Sequence, residues 1–414
     1  MLDLRTIRED PEPAREALAR RGVDPAALDE ALELDDRRRA ILPELEELRR
    51  RKNEASARIG ELRRAGTDAS EAIADVRGVS AREKELDDEL RSVEERRSAA
   101  LVLLPNLPDP GAPLEEEVLR EVGEGGASGR NHVELLGPHL DMETASRVSG
   151  ARFAYLKGPL VRLELALVQW AMGLLEDKGF TPVVPPVLVR ERALFGTGFL
   201  PDTEQQIYGV PDDDLYLVGT SEVPLASLHA DEILAGADLP RRYAGLSSCF
   251  RREAGAAGKD TQGIFRVHQF DKVEMFAFVE PEWSPDEHER LLAIEEEVLQ
   301  ALDIPYRVVN IAADDLGASA AKKYDCEAWL PGQQRYREVT SASNTTDFQA
   351  RRLDIRYRPA EGESPRHVHT LNGTAVAVGR TIIAIVENHQ QEDGAIVIPP
   401  VLHPFGAPET IGPV

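Results

Sequence analysis

Two long segments near the start of the chain repeat apolar residues at alternating intervals of four and three. The repeated positions of the first segment are Ile41, Leu45, Leu48, Lys52, Ala55, Ile59 and Leu62. Those of the second segment are Val76, Val79, Glu83, Leu86, Leu90, Val93, Arg97 and Ala100. This heptad spacing predicts one seam on each of two helices. Residues 65–68, Ala-Gly-Thr-Asp, form a turn between them, so the pattern predicts an antiparallel helical hairpin within residues 28–100.

The predicted hairpin is long and thin, and one proline interrupts its first helix. A helix over residues 28–65 would be roughly 55 Å long, at about 1.5 Å per residue. Because a single seam cannot form a compact core, we expect the hairpin to protrude. Pro43 lacks a backbone amide hydrogen and is expected to kink or restart the helix. Residues 1–25 predict a short helical lead-in.

The pattern changes at the proline-rich segment PNLPDPGAP, residues 105–113. Proline ends a helix and favours an extended chain, so this segment is predicted to be a linker. We therefore predict an N-terminal domain over residues 1–104 and a second domain over residues 114–414. The second domain mixes helical and strand patterns, which gives the α+β class.

An amphipathic helix and a proline-rich strand lie early in the second domain. The helix is marked by Leu160, Leu163, Leu167, Trp170 and Leu174, and it ends at Lys178-Gly179. Residues 180–189 follow as a predicted strand that is rich in Val and Pro. Three prolines suit an edge or interface strand better than a central one, and an ordinary edge strand explains them as well.

Residues 249–279 predict two strands joined by a polar, glycine-rich loop over residues 254–263. Alternation places Arg251 and Glu253 on one side of the first strand. On the second strand one face is nearly all charged and carries Arg266, His268, Phe270, Lys272 and Glu274. The opposite face carries Phe265, Val267, Val273 and Met275. A charged face with one aromatic ring suits an anionic ligand with a flat ring, and a solvated hairpin is the alternative.

Composition bounds the class of protein. The chain has 414 residues, of which 42% are hydrophobic and 30% charged, which suits two or three globular domains. The N-terminus lacks an apolar signal-peptide core, and the longest apolar run, residues 159–175, is too short to span a bilayer. Cys249 and Cys326 make neither a disulfide framework nor a zinc site, so buried thiols are expected. These features predict a cytoplasmic protein without a membrane partner.

The net charge of −25 argues against a nucleic-acid partner, but this charge is not evenly distributed along the chain. Residues 37–64 carry ten Lys and Arg against five Glu, a local charge of +5. Residues 71–97 carry six basic and nine acidic residues, a local charge of −3. The first hairpin helix is therefore a candidate track for phosphates. A solvated coiled-coil surface with salt bridges is the alternative.

Three further segments could carry chemistry. Residues 219–222, Gly-Thr-Ser-Glu, follow a predicted strand over residues 215–218, and turn capping also explains them. Residues 337–344 read REVTSASN, and residues 371–380 read LNGTAVAVGR before a predicted helix. His367 and His369 lack a third ligand nearby and are predicted to be strand residues.

No nucleotide-binding glycine fingerprint is found in the sequence. Residues 255–260 are only a partial echo of a phosphate-binding loop, and no dinucleotide-binding fingerprint is found. A nucleotide site in this chain must therefore use side-chain clamps.

These segments together resemble a known family. Phe-Arg-x-Glu followed by Arg-x-His-Gln-Phe-Asp-Lys-Val-Glu resembles motif 2 of the class II aminoacyl-tRNA synthetases, in the form found in seryl-tRNA synthetases. The helix and strand around Pro186 resemble motif 1, which forms the dimer interface in that family, and residues 371–380 resemble motif 3. Residues 220–222 resemble the family's TxE segment and residues 338–341 its ExxS segment. The resemblance implies an N-terminal antiparallel coiled-coil arm and a catalytic domain with an antiparallel sheet flanked by helices.

The resemblance also implies roles for individual residues. The implied catalytic residues are Arg251, Glu253 and Arg380. The implied ATP-binding residues are Arg251, Arg252, Glu253, Val267, Phe270, Glu338, Val339, Thr340, Ser341 and Arg380. The implied serine-binding residues are Thr220, Ser221, Glu222, Arg251, Glu274 and Thr374. Glu338 and Ser341 are the implied ligands of Mg²⁺, and on a straight strand they would face opposite sides, so a bend is required.

The implied function is ATP-dependent activation of L-serine and its transfer to tRNA(Ser), and also to tRNA(Sec). The expected assembly is a homodimer through the region around Pro186, with the hairpin binding the tRNA. At Thr374 the family pattern leads us to expect serine. Two alternatives remain open, namely an aminoacyl-adenylate ligase that loads a carrier protein and a non-catalytic RNA-binding paralogue.

Overall fold

The computed structural model describes residues 1–201, 206–254, 260 and 262–413. Of the loop predicted over residues 254–263, residues 255–259 and 261 lie outside the described residues. The chain divides into two compact units, Met1–Pro105 and Asn106–Val414. No described helix combines the length and the apolar character needed to cross a bilayer.

The first unit consists of four helices, two short and two long. They are α1 (Leu4–Glu9), α2 (Glu12–Arg20), α3 (Pro25–Arg64) and α4 (Ser70–Leu103). With 40 residues, α3 is about 60 Å long. The predicted restart at Pro43 is wrong, because α3 continues through this residue. Pro43 lies on the exposed side of the helix, where water can bind the carbonyl that the proline leaves without a partner.

The predicted heptad seam joins α3 to α4 in antiparallel orientation. The buried residues of the seam are Leu34, Ile41, Leu45, Leu48, Val79, Leu86 and Val93. Two polar seam positions pair with each other, since the Lys52 Nζ lies 2.6 Å from the Glu83 Oε2. A third polar position, Arg97, lies 2.8 Å from the carboxylate of Asp35. The polar residues in the repeat therefore form ion pairs along the seam.

The second unit is built on an antiparallel sheet flanked by helices. Its helices are α5 (His132–Leu136), α6 (Met142–Ser149), α7 (Pro159–Asp177), α8 (Glu191–Thr197), α9 (Glu222–Ala226), α10 (Ser284–Ala301), α11 (Phe348–Leu353) and α12 (Val378–Asn388). Its strands are β1 (Glu117–Val122), β2 (Leu140–Asp141), β3 (Tyr155–Leu156), β4 (Thr181–Val183), β5 (Leu188–Val189), β6 (Tyr208–Val210), β7 (Leu215–Leu217), β8 (Ile233–Ala235), β9 (Arg241–Phe250), β10 (Gln269–Val279), β11 (Tyr306–Asn310), β12 (Lys322–Leu330), β13 (Arg335–Asn344), β14 (Arg356–Arg358), β15 (Arg366–His367), β16 (His369–Ala377), β17 (Ile396–Val397) and β18 (Thr410–Ile411).

Eight strands form the main sheet in the order β1-β11-β12-β13-β16-β10-β9-β4. Every pair in it is antiparallel except β4, which lies parallel to β9 at the edge. Helices α7, α10 and α12 pack on this sheet and bury its largest apolar core. Both cysteines are buried and free, as expected. The α+β architecture agrees with the prediction.

Strands β9 and β10 are shorter than the alternation predicted. Strand β9 ends at Phe250 and β10 begins at Gln269, so Arg251, Glu253, Arg266 and His268 lie outside both strands. Glu253 has φ of 51°, in the left-handed region, which does not fit a continued strand. The predicted strand over residues 180–189 is also wrong as one element, since it divides into β4 and β5 in separate sheets.

Candidate active site

A cleft opens where β10, β13 and β16 meet the start of α12. Its inner part is lined by Arg251, Glu253, Ile264, Phe265, Arg266, Val267, Phe270, Lys272, Glu338, Val339, Thr340, Ser341, Thr374, Ala377, Gly379 and Arg380. An adjoining part shares Arg251, Glu338 and Arg380 with it and adds Thr220, Glu222 and Asn372. The structure therefore brings residues from four separate sequence segments to one cleft.

Two β-bulges place the functional side chains along this cleft. In the pairing of β12 with β13, Cys326 lies opposite Thr340 while Glu327 lies opposite Glu338, so Val339 is an extra residue. The extra residue lets Glu338 and Ser341, three apart, line the same cavity, which a regular strand forbids. A second shift between β10 and β16 makes Ala375 an extra residue next to Thr374. The bend that the sequence required near Thr340 is thus a bulge.

Arg251 and Phe270 face a common cavity. The guanidinium carbon of Arg251 lies 5.4 Å from the centre of the Phe270 ring. The Nε of Arg251 donates a hydrogen bond of 3.2 Å to the carbonyl of Gly219, which fixes the direction of the side chain. A flat ring and a fixed positive charge side by side can hold a nucleotide by its base and a phosphate.

Arg380 projects into the opposite side of the cleft from the first turn of α12. Its Nη1 donates to the carbonyl of Glu338 at 3.0 Å and lies 3.4 Å from the Glu338 Oε2. The ring of Phe265, predicted to belong to the core face, packs against Arg380 at 4.6 Å and Arg337 at 3.8 Å. These contacts hold a second guanidinium in the cleft, a suitable ligand for phosphate.

The carboxylate of Glu338 is held in its charged form. Burial opposes its ionisation, but the positive charges of Arg380, Lys323 and Arg251 outweigh burial and lower its pKa to about 2. Nearby Asp325 behaves in the opposite way, because burial and the charge of Glu338 raise its pKa to about 7. Ionisation is therefore favoured for Glu338 and disfavoured for Asp325.

A small polar pocket adjoins the part of the cleft that Arg251 and Arg380 line. Lys272 contributes its ammonium group, which lies 2.8 Å from the Thr220 Oγ1 and forms an ion pair with Glu274. Asn372 Nδ2 bridges two carboxylates, donating to Glu274 at 3.1 Å and to Glu222 at 3.3 Å. The pocket thus offers two carboxylates to a small ligand that carries a positive charge.

The two carboxylates influence each other. Burial, followed by the charge of Glu274, raises the pKa of Glu222 to about 7. The Thr374 hydroxyl lies 3.5 Å from the Glu274 Oε2, at the limit of a hydrogen bond. An incoming ammonium group would relieve the repulsion between Glu222 and Glu274.

Some of the sequence-derived site residues lie outside the lining of the cleft. Ser221 is buried and its hydroxyl donates to the carbonyl of Gly245 at 3.4 Å, away from the cleft. The Arg252 side chain is exposed, while its backbone amide donates to the carbonyl of Gln206 at 2.9 Å. Glu253 does line the cleft and pairs with Arg266 at 2.8 Å. The roles of these residues stay predictions.

Several polar residues of the site were missed by the sequence reasoning. Asn372 lies within residues 371–380, but nothing in that sequence indicates that its side chain contacts two carboxylates. Lys323 and Asp325 on β12 lie next to each other at 2.9 Å and approach Glu338 only through strand pairing. Gln349 lies on α11, outside every segment that resembles a family motif, and its side chain contacts Glu222. Strand pairing brings Lys323 and Asp325 to the site, and the packing of α11 brings Gln349, so the local sequence could not identify them.

The cleft also contains oxygen atoms that fit a divalent cation. Glu338 and Ser341 offer a carboxylate and a hydroxyl on the same wall, the ligand types that Mg²⁺ prefers. Across the described residues, no group of three or more His, Cys, Asp and Glu side chains is arranged to hold a metal ion. Two protein oxygens suit Mg²⁺ when phosphates and water complete its shell.

Comparison with known proteins places this geometry in one family. The model of the tRNA synthetase class II core domain (G, H, P, S and T) matches residues 208–389, and that of the seryl-tRNA synthetase N-terminal domain matches residues 1–108. A serine–tRNA ligase from Thermobifida fusca is 48% identical over 424 residues, which cover 100% of this chain and 99% of that protein.

Solved structures agree over the same length. The crystal structure of seryl-tRNA synthetase from Pyrococcus horikoshii complexed with ATP aligns with a TM-score of 0.95 and 45% identity, covering 100% of both chains. The cytoplasmic serine–tRNA ligase from Naegleria fowleri in complex with AMP aligns with a TM-score of 0.90 and 31% identity, covering 100% of this chain and 99% of the other. On the strength of full-length identity, both domain matches and the shared fold, the chain belongs to the seryl-tRNA synthetase family.

Proposed function

We propose that the chain is an ATP-dependent serine–tRNA ligase. In the first step L-serine and ATP form seryl-adenylate and pyrophosphate. In the second, a hydroxyl at the 3′ end of tRNA(Ser), and of tRNA(Sec), attacks the seryl carbonyl of the adenylate, and AMP leaves. The observation that carries this proposal is the continuity of two sites in one cleft. Arg251, Phe270 and Arg380 form a nucleotide side, and Thr220 and Glu222 form a small polar pocket next to it.

The nucleotide side would bind ATP through stacking and charge. Phe270 would stack on the adenine, with Glu253 and Val267 beside it, and Arg251 would hold the α-phosphate. Arg380 would bind the outer phosphates from the far side of the cleft. The strand segment Val339–Thr340 lines the same part of the cleft. Relatives of this chain were solved with ATP and with AMP, which supports an adenine nucleotide as its ligand.

The chemistry of the first step needs positioning and charge neutralisation. Serine's carboxylate is already ionised at neutral pH, so no general base is required. A carboxylate oxygen bonds to the α-phosphorus as the bond from that phosphorus to the β-phosphate bridging oxygen breaks, and pyrophosphate leaves with the electron pair. Arg251 is placed to stabilise the negative charge that gathers on the α-phosphate.

The polar pocket would bind serine by its ammonium and hydroxyl groups. The ammonium and hydroxyl groups of serine would donate hydrogen bonds to Glu222, Glu274 and Thr220. Thr374, on β16, would contact the side chain of serine. Alanine would leave the buried acceptors without a partner, so the pocket discriminates against it. Ser221 would support this region through its hydroxyl, which donates to the carbonyl of Gly245, and Arg252 through its backbone amide, which donates to the carbonyl of Gln206.

A divalent cation fits the same wall. Glu338 and Ser341 would hold Mg²⁺, which when bound neutralises charge on the ATP phosphates. The low pKa of Glu338 keeps its carboxylate available across the physiological range.

The arm would bind the tRNA. Residues 1–105 are all described, and in them most arginines of α3 pair with carboxylates, for example Arg37 with Glu89 and Arg49 with Asp87. Arg58, Arg63 and Arg64 near the turn are exposed and form no ion pair in this unit, so their charge is available to phosphates.

The surface around Pro186 would form a homodimer. Val161 and Leu165 on α7 and Val184 after β4 are apolar and exposed, at 40%, 63% and 80% of their surface. Such a concentration of exposed apolar side chains on neighbouring segments is typical of a protein–protein interface. Pro186 lies in the chain between β4 and β5, close to Val184 in sequence.

The proposal is tested by amino-acid-dependent exchange of pyrophosphate into ATP, followed by charging of total tRNA. We expect exchange with serine to exceed that with alanine, threonine or cysteine by at least tenfold, and charging to require serine. Exchange with serine together with loading of a carrier protein but no tRNA would favour the alternative ligase. Absence of exchange with all four amino acids would favour a non-catalytic RNA-binding protein.

A further inference from the structure

A buried amide lies behind the pocket that we assign to serine. Gln349 on α11 has none of its surface exposed. Its Nε2 donates to the Glu222 Oε1 at 2.7 Å and to the carbonyl of Thr197 at 3.3 Å. Its Oε1 accepts from the Thr370 hydroxyl at 2.9 Å. Both ends of the amide are therefore fixed inside the protein.

The orientation of this amide follows from its neighbours. The Thr197 carbonyl can only accept a hydrogen bond, so the NH₂ group of Gln349 must face it. A flipped amide would set its oxygen against this carbonyl and the Glu222 carboxylate. The Thr370 hydroxyl lies within 2.5 Å of the Thr345 hydroxyl, and both threonines are buried, which extends the network away from the cleft. Gln349 thus presents a donor to Glu222 at all times.

The other oxygen of Glu222 is also bound. Asn372 Nδ2 lies 3.3 Å from the Glu222 Oε2, so each carboxylate oxygen has one protein donor. A carboxylate oxygen can accept two hydrogen bonds, so each still has a free lone pair. Because Gln349 approaches from α11, behind the pocket, the lone pairs that remain are those available to a ligand in the cleft.

The hydrogen bond from Gln349 affects the ionisation of Glu222, which neighbouring charges also affect. Burial and the charge of Glu274 raise the pKa of Glu222 to about 7, whereas the hydrogen bond from Gln349 and the charges of Lys272 and Arg251 oppose that rise. A carboxyl group that titrates near neutrality changes its charge when a single donor is removed.

We propose that Gln349 is a positioning residue that holds Glu222 as an oriented, ionised acceptor for the ammonium group of the amino-acid substrate. The inference rests on the proposed function and deepens it. Gln349 does not touch the substrate and acts only through Glu222. Its amide replaces a water molecule that would otherwise have to satisfy a buried carboxylate.

The test is Gln349→Met, which keeps the length of the side chain and removes all three of its hydrogen bonds. We expect kcat/KM for serine in pyrophosphate exchange to fall about tenfold to a hundredfold, mainly through KM, as for loss of a hydrogen bond to a charged group. The KM for ATP should stay within about twofold. Without the donor the pKa of Glu222 rises, so the acid limb of kcat/KM for serine should move to higher pH.

Two further variants separate positioning from stability. Asn388→Leu removes a half-buried amide at the end of α12 that donates to the carbonyls of Trp329 and Ala384, both at 2.9 Å. It should lower the melting temperature but leave the acid limb unchanged. Gln349→Glu can hydrogen-bond to Glu222 only when the pair shares a proton, so it should move the limb in the same direction as Gln349→Met.

The outcomes are distinguishable. An unchanged acid limb and an unchanged kcat/KM for serine in both Gln349 variants would overturn the inference while leaving the proposed function intact. An equal rise in KM for serine and for ATP would overturn it too, because it would indicate general disorder of the cleft. A wild-type protein without serine-dependent exchange would overturn the proposed function, and this inference with it.

Discussion

The helical arm and the catalytic cleft use the same charged residues in two different ways. Along α3 and α4, arginines and glutamates follow a regular repeat and pair across the helices on the surface, as Arg38 does with Glu94 at 3.0 Å. In the cleft, Arg251, Glu338 and Arg380 come from three separate segments and gather around a space large enough for a ligand. Pairs of the first kind contribute little each, whereas charges of the second kind can act on a substrate.

The difference lies in how the backbone places the side chains. The arm keeps one period throughout, so each residue faces where the repeat predicts. The geometry of the cleft depends on interruptions of the regular strand alternation. These are the bulges at Val339 and Ala375 and the positive φ of Glu253. Bulges redirect side chains next to active sites, and here one brings Glu338 and Ser341 to the same wall. Chemistry is therefore concentrated where the pattern is irregular.

The largest effect should come from removing the arm. Replacing residues 28–100 by a short linker should abolish tRNA charging, because the exposed arginines of α3 are lost. Serine-dependent pyrophosphate exchange should stay within about twofold, since residues 106–414 form a compact unit with its own core. Both activities are measured on the same preparation. Loss of both exchange and charging would contradict the assignment of tRNA binding to the arm and of serine activation to the second unit.

The next effect tests the bulged strand. Glu338→Gln removes the carboxylate that three cations keep ionised, and we expect exchange to fall roughly a hundredfold. The concentration of Mg²⁺ needed for half of the maximal rate should rise. The control is Glu327→Gln, because Glu327 lies opposite Glu338 on β12 and pairs with Arg307 at 2.5 Å. An equal loss in both variants would assign the effect to the charge of the sheet and not to the cleft.

The same contrast explains which features could be predicted from the sequence. The seam of the arm needs only a seven-residue period, and seam residues from Ile41 to Val93 pack as expected. The four segments of the cleft could be recognised by resemblance, but their geometry could not be derived from alternation. Arg266 and His268 were expected on a strand face, and both lie in the chain before β10 begins.

The residues that the sequence did not reveal depend on pairing between distant segments. Lys323 and Asp325 approach Glu338 because β12 pairs with β13. Gln349 approaches Glu222 across 127 positions of sequence. Pro43 shows the opposite case, in which a strong local rule was overridden, because a long helix with a packed seam tolerates one proline on its exposed side. Local patterns predict elements, and contacts between elements require the fold.

The smallest effect should come from the ion pair between Lys52 and Glu83 in the seam of the arm. Lys52 and Glu83 occupy positions where a heptad repeat usually has apolar residues, and their side chains lie 2.6 Å apart. Lys52→Glu would set like charges against each other and should lower kcat/KM for tRNA charging about two- to fivefold, the size expected of an exposed pair. Pyrophosphate exchange should not change.

The exchanged pair, Lys52→Glu with Glu83→Lys, should restore charging, because it reverses the two charges without changing the spacing of the seam. Recovery would show that the pair fixes the register of α3 against α4, a known use of polar residues in coiled coils. Failure of the double variant to recover would mean that Lys52 contacts the tRNA directly. In that case a seam position of the arm, where the heptad repeat calls for a packing residue, would carry a charge that binds a ligand, as positions in the cleft do.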